Sequence, residues 1–386
     1  MIQLDYGNFS LLKLLAGYLI LAGILILLKK YPLQQVVSKL FLDLHLIILI
    51  IPMLTLAAQE QRPLDDVFLL LLGYSVVFVT LKLFEKLKVN FPSPSKALSL
   101  SILFVLSLVY AYLFFGMLFI GGLGWFNLNF YEIYSTRELY NANALPFFGY
   151  LLSWVAYVFN IFLMVFFLHK KKYILVVFFI LMQVMLFGMT NHKLILFVPV
   201  VVLFFYLMFM YKLNSKIFLM ASIGIALAII LSFMHPMFEG LSMRAFYTPA
   251  AMHTLYFDYF STHSSALMSG TRWASIFDAP YDSKAVQIVA QHFWGRDFSP
   301  NVGWLGNAYA NFGFGGIVVF ALMLSIYLKL ADEFVSKIPG GKKFSVIMIP
   351  VIFSLCSSAF NTVLVTHGGI LLLLILWLTP SLVKNN

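Results

Sequence analysis

Charge is what this sequence has least of. Asp, Glu, Lys and Arg together make up 10% of its 386 residues, whereas about a quarter is usual in a soluble domain. With 62% of residues hydrophobic, no water-soluble core of this length hides the apolar surface, and lipid is the solvent that makes the composition sensible. Cysteine is nearly absent. Cys356 stands alone in an apolar stretch, which excludes an intramolecular disulfide and a cysteine-based metal site and reads as a small buried apolar residue. The chain has no GxxxxGK[ST] loop, so it is not by itself an ATP-driven pump. It also lacks HExxH and CxxC, which argues against a zinc protease, and it lacks a DxD pair to hold a nucleotide-sugar metal. No metal or cofactor is expected. Proline-rich linkers, low-complexity runs and internal repeats are missing too. Within the apolar runs, Asp43, His45 and Lys82 read as lying near segment ends, with little that ionises at mid-depth. That pattern argues against an ion-coupled carrier.

Long apolar runs are what the chain does have. A spanning helix needs about 20 mostly apolar residues. On that rule eleven segments emerge, near 9–28, 40–58, 67–84, 97–120, 147–168, 173–189, 194–211, 217–234, 312–329, 344–360 and 369–383. The segments at 173–189 and 194–211 read as a tight helical hairpin, and the last is short. The predicted fold is an all-α, multi-pass membrane bundle forming one domain, with 41 Phe and 20 Tyr suited to lipid-facing and interfacial positions. The first residues, MIQLDYGNFS, lack a basic region and a cleavage site, so the first run is expected to be a retained helix.

The basic residues orient this bundle. With the N-terminus outside, seventeen lysines fall on the inner side: Lys29, Lys30, Lys39, Lys82, Lys86, Lys88, Lys96, Lys170, Lys171, Lys172, Lys212, Lys216, Lys329, Lys337, Lys342, Lys343 and Lys384. Subtracting 17 from the total of 25 Lys and Arg leaves 8 outside. The positive-inside rule then places the C-terminus in the cytoplasm of a bacterial inner membrane. All the arginines, Arg62, Arg137, Arg244, Arg272 and Arg296, fall outside. Topology asks only for positive charge, which lysine supplies equally well. Arginine adds a planar fork that grips phosphate at two points. Snorkelling into headgroups is the plainer alternative.

Two outer loops carry most of the chemistry, a smaller one at 121–146 and a large one at 235–311. The large loop is rich in aromatics, so it is not a disordered spacer. Thr248-Pro249 opens a helix, with Met252, Leu255, Tyr256, Tyr259 and Phe260 at helical spacing. This helix either lies amphipathically on the membrane or packs into the bundle. Ser283 and Gly295 bracket a second helix over Lys284–Trp294. His253, Asp258 and His263 are candidate bases for taking a proton from an attacking hydroxyl, each with an ordinary solvated or packed alternative. Arg137, Lys193, Arg244, Arg272 and Arg296 are candidates for holding a phosphate, with ordinary ion pairing as the alternative for Arg137. Tyr247 offers a stacking face. Asn307 and Asn311, four apart on one helix face, suit sugar hydroxyls or helix capping. Phe312-Gly313-Phe314-Gly315-Gly316 opens a helix with small residues that allow close approach.

Four stretches resemble the Wzy-type O-antigen polymerases, also described as oligosaccharide repeat-unit polymerases. They are Tyr131-Glu132-Ile133-Tyr134-Ser135-Thr136-Arg137, Gly188-Met189-Thr190-Asn191-His192-Lys193, Arg244-Ala245-Phe246-Tyr247-Thr248-Pro249-Ala250, and Gly303-Trp304-Leu305-Gly306-Asn307-Ala308-Tyr309-Ala310-Asn311-Phe312-Gly313. The resemblance implies a membrane glycosyltransferase that joins undecaprenyl-diphosphate-linked oligosaccharides on the periplasmic side, with a chain-length regulator as partner. It implies that Arg244 and Arg137 bind diphosphate, with Lys193 nearby, and it assigns no base. The alternatives are a ligase that transfers the glycan to a lipid A core and, from another class, a flippase for lipid-linked oligosaccharide.

Overall fold

The computed structural model describes residues 10–58, 64–130, 132–213 and 247–383. Arg62, Tyr131, Arg244, Lys216, Lys384 and the expected span at 217–234 lie outside the described residues. Among those described there are helices and turns and no strands. Eight helices are long and apolar enough to cross a membrane: Leu11–Lys30, Val36–Ala57, Asp65–Phe84, Lys96–Phe119, Phe148–His169, Tyr173–Thr190, Lys193–Met210 and Trp304–Ser336. Two expected spans fall short of that length. The segment expected at 344–360 is a 3₁₀ run, Gly341–Met348, leading into a helix of only nine residues, Ile349–Ser357. The last apolar helix, Gly369–Val383, has 15 residues. Expected starts and ends otherwise agree to within a few residues, because side-chain caps set several of them. Ser10 Oγ accepts from the Lys13 amide and Ser95 Oγ from the Leu98 amide.

The chain forms two compact units. The first contains residues 1–88, 218–329 and 354–360, and the second contains 89–217, 330–353 and 361–386. Helix Val36–Ala57 is the core of the first. Leu11–Lys30, Asp65–Phe84 and Thr248–Thr262 all pack on it. Gly17, the one buried residue of Leu11–Lys30, sets that helix against Leu54. Because the central helix starts at Val36, His45 is its tenth residue of 22, well inside the span. Asp43, His45 and Asp66 are all buried in this unit, so the expectation of few ionisable groups at depth is corrected here. The physical reason is pairing and packing: Lys39 Nζ holds Asp43 Oδ2 at 2.6 Å one turn away, and His45 is enclosed by aromatic rings.

The same unit contains a sharp break in Trp304–Ser336. Phe312 (φ −142°, ψ 17°) and Gly313 (φ 58°, ψ −145°) leave helical geometry. The Gly313 conformation is essentially closed to residues with a Cβ. The expected helix start at Phe312 is thus a fold in the chain, with a short helix before it. A Cβ on Gly316 would run into the Ala308 carbonyl across the fold, so small residues do permit the close approach expected of them.

In the second unit a buried polar network ties three helices together. Tyr110 donates to Asn160 Oδ1 at 2.8 Å. Asn160 Nδ2 donates to Gln183 Oε1 at 2.6 Å and to the Phe179 carbonyl at 3.0 Å. Gln183 Nε2 donates to the Ala156 carbonyl at 2.8 Å, within a π-helical turn over Val155–Phe159. In an apolar surround each such bond contributes about 0.6 kcal/mol, and stranding the partners adds to the loss. Asn160→Leu is expected to lower unfolding free energy in bicelles by about 2 kcal/mol, with Gln183→Leu in the same background adding less than its single effect.

Candidate functional site

Two of the stretches singled out in the sequence meet in the second unit. Helix Tyr173–Thr190 ends at Asn191, whose φ of 51° turns the chain back into Lys193–Met210. Onto this tip the smaller loop folds. Trp125 Nε1 donates to the Met189 carbonyl at 3.0 Å, the Asn127 amide to the Gly188 carbonyl at 2.9 Å, and Asn191 Nδ2 to the Asn127 carbonyl at 3.0 Å. Gly188 leaves the space that the Phe126 ring fills. The loop then forms a helix, Ile133–Asn143, which carries Arg137 to the tip. Arg137 Nε donates to the Asn191 carbonyl at 3.0 Å. That bond fixes the plane of the guanidinium. Lys193, two residues past Asn191, lies over the Phe130 ring at 5.9 Å.

Two groups that the sequence reading passed over complete this cluster. Tyr140, one turn after Arg137, meets His192 edge to face at 6.2 Å between centroids. Its hydroxyl is buried without a hydrogen-bond partner, and burial pushes its pKa up to about 12, so it stays a neutral donor. Burial, helped by the Arg137 charge, lowers the His192 pKa to about 4. The helical spacing of Arg137 and Tyr140 was the available signal for the tyrosine. The cluster therefore presents one arginine, one lysine, a neutral imidazole and a phenol, which together suit a phosphate or diphosphate rather than a cation.

A histidine held neutral by the fold has a defined effect on stability. Its folded pKa is below the unfolded value of about 6.5, so the unfolded chain takes the proton first. Stability falls as pH drops from about 6.5 toward 4. His192→Asn is expected to reduce the fall in melting temperature over that range. An unchanged pH profile in the variant would count against the placement of His192.

The large loop belongs to the first unit, and its described part divides into buried and exposed groups. Helix Thr248–Thr262 is buried over nearly its whole circumference, from Pro249 to Phe260, with Asp258 the exposed exception. Packing into the bundle, not lying on the membrane, is its fate, because Ala250, Ala251, Tyr256 and Phe257 all face protein. His253 is correspondingly removed from the candidate bases. It is fully buried, and its Nδ1 is 2.7 Å from the Pro249 carbonyl. Asn311 is also corrected: its Oδ1 accepts from the Met268 amide at 2.8 Å and its Nδ2 donates to the Asn307 carbonyl at 2.8 Å. It latches the turn at 266–268, where Leu267 and Met268 have positive φ, and its amide is consumed by backbone. Asn307 stays half-buried and Tyr247 half-buried.

His263 remains at the surface. Its ring stacks on Tyr259 at 4.0 Å and its Nδ1 contacts the Tyr259 carbonyl at 2.9 Å, leaving Nε2 as the ring's outward nitrogen. The exposed His292 ring lies 5.9 Å away. His292 comes from Ala285–Trp294, the expected second helix, whose N-cap is Lys284 rather than Ser283 and whose end is Gly295 in the left-handed region. Gln287 Oε1 accepts from the Lys284 amide at 3.2 Å, which shifts the cap by one residue. Arg272 lies over Trp273 at 5.2 Å, and Arg272 and Arg296 are both exposed. Among the described residues no group of three His, Cys, Asp or Glu is placed to hold a metal. Comparison with known protein families, curated proteins and solved structures finds no match to this chain.

Proposed function

We propose that this chain polymerises undecaprenyl-diphosphate-linked oligosaccharide repeat units at the outer face of a bacterial inner membrane. The observation that supports the reading most is the Arg137–Asn191 bond, which brings Arg137, His192 and Lys193 together at the end of a membrane-crossing hairpin. In this reading the cluster takes the diphosphate of the donor lipid. A sugar hydroxyl of the incoming unit attacks the anomeric carbon of the growing glycan. The bond from that carbon to the diphosphate oxygen breaks, undecaprenyl diphosphate leaves with its charge held by arginine and lysine, and the hydroxyl proton passes to a base. Exposed His263 and Asp258 are the candidates for that base, and Arg272 and Arg296 offer further phosphate contacts. The orientation rests on the lysine and arginine distribution along the chain.

The test is purified protein in nanodiscs with labelled lipid-linked repeat units. A ladder of products without any added acceptor supports polymerisation. A single transfer that requires lipid A core indicates a ligase. A flippase for lipid-linked oligosaccharide is the second reading, favoured by the buried Asp43, His45 and Asp66 in the first unit. Movement of labelled lipid across the bilayer with no new glycosidic bond would replace the first reading with this one.

A further inference from the structure

Helices Val36–Ala57 and Thr248–Thr262 each carry one fully buried histidine, His45 and His253. Trp304 Nε1 lies 3.3 Å from His45 Nε2. An indole N–H only donates, so His45 Nε2 accepts and the neutral ring carries its proton on Nδ1. That Nδ1–H is buried with no partner. His253 is the reverse case. Its Nδ1 is 2.7 Å from the Pro249 carbonyl, which only accepts, so Nδ1 holds the proton. Its Nε2 is then a bare acceptor, also buried with no partner.

The donor and the acceptor lie around one turn. A Cβ on Gly303 would come within 2.8 Å of His253 Cε1, and one on Gly306 within 3.0 Å of His253 Cδ2. The Nε2 edge of His253 therefore faces the turn from which Trp304 reaches His45. Tyr74, whose ring stacks at 6.0 Å from His45, has a hydroxyl that is likewise buried without a partner. Phe41 and Phe257 pack against the two imidazoles and close the cluster with apolar rings.

We propose that this cluster encloses an ordered water molecule that accepts from His45 Nδ1–H and donates to His253 Nε2. Each orphaned group left dry costs about 1–3 kcal/mol, and water is the smallest molecule that satisfies a donor and an acceptor together. A metal ion does not suit these tautomers. It needs a lone pair on His45 Nδ1, which would move the proton to Nε2 and set it against the Trp304 N–H. An anion would serve His45 and repel the lone pair of His253. The water links helix Val36–Ala57 to helix Thr248–Thr262 through polar contacts inside an otherwise apolar packing.

Full-length protein in nanodiscs, labelled with ¹⁵N-histidine, tests this by NMR. Ring-nitrogen shifts report the tautomers, and water-edited spectra report a proton donor in contact with water. The expected result is Nδ1–H for both rings and a water cross-peak at His45 Nδ1–H. His45→Gln and His253→Gln identify the signals by their loss; if either variant does not fold, sequential assignment of the wild-type spectrum replaces it. Loss of the water cross-peak in a folded His253→Gln protein, with the His45 tautomer kept, supports the bridge. Absence of the cross-peak in wild type, or a His45 proton on Nε2, overturns it.

Discussion

Arg137→Ala is expected to slow polymerisation by about 10²-fold or more. The guanidinium is the one cation whose direction is fixed at the hairpin tip, by its Nε bond to the Asn191 carbonyl. Removing a pre-oriented group that stabilises developing charge costs about 10²–10³ in rate in well-studied enzymes. Lysine at this position restores charge without the fork or the Nε donor, so Arg137→Lys is expected to recover only a small part. The measurement is the initial rate of ladder growth, with a thermal melt to show that each variant is folded. A folded Arg137→Ala protein that polymerises at close to the wild-type rate would remove the tip from the proposed site and leave the arginines of the large loop as the alternative.

Gly303→Ala is expected to be the most damaging methyl group in the first unit. The added Cβ would lie 2.6 Å from the Cys356 carbonyl oxygen, 2.8 Å from its carbon and 2.8 Å from His253 Cε1. Two of those atoms are backbone and the third belongs to a buried ring, so none gives way cheaply. Overpacking of this kind costs about 1–3 kcal/mol, and the upper end applies because the neighbours are fixed. Gly23→Ala is the control, since a Cβ there meets nothing within 4 Å and the residue is inside a helix. It is expected to be neutral or to stabilise by about 0.5–1 kcal/mol. Thermal unfolding followed by tryptophan fluorescence compares the two, and equal melting temperatures would contradict the packing described around Gly303.

The stretch Gly303–Gly313 shows how a sequence signal is legible while its meaning is not. Small residues and paired asparagines at helical spacing are visible in the chain, and they suit ligand contacts and close packing alike. In the fold, Gly303 and Gly306 make room for His253, and Asn311 holds the backbone of the 266–268 turn. Helix Thr248–Thr262 makes the same point. Its aromatic spacing fits a membrane surface or a protein core, and the partner that covers it, Val36–Ala57, is two hundred residues away in sequence. Conversely, Arg137 and the Gly188–Lys193 tip were both legible as separate stretches, but nothing in their spacing says that a loop of the first would dock on the second.

Composition and apolar run length were enough to establish an all-helical chain of membrane-crossing helices, because a bilayer admits few ways to satisfy a backbone and the length rule is local. Helix ends followed from caps and lysines, which act within a turn. What required the tertiary structure was which polar groups are spent on the protein itself. His253 and Asn311 are used internally, His263 is at the surface, and Arg137 shares a tip with His192 and Lys193. Burial and hydrogen-bond partners come from segments distant in the chain, and no local pattern encodes them.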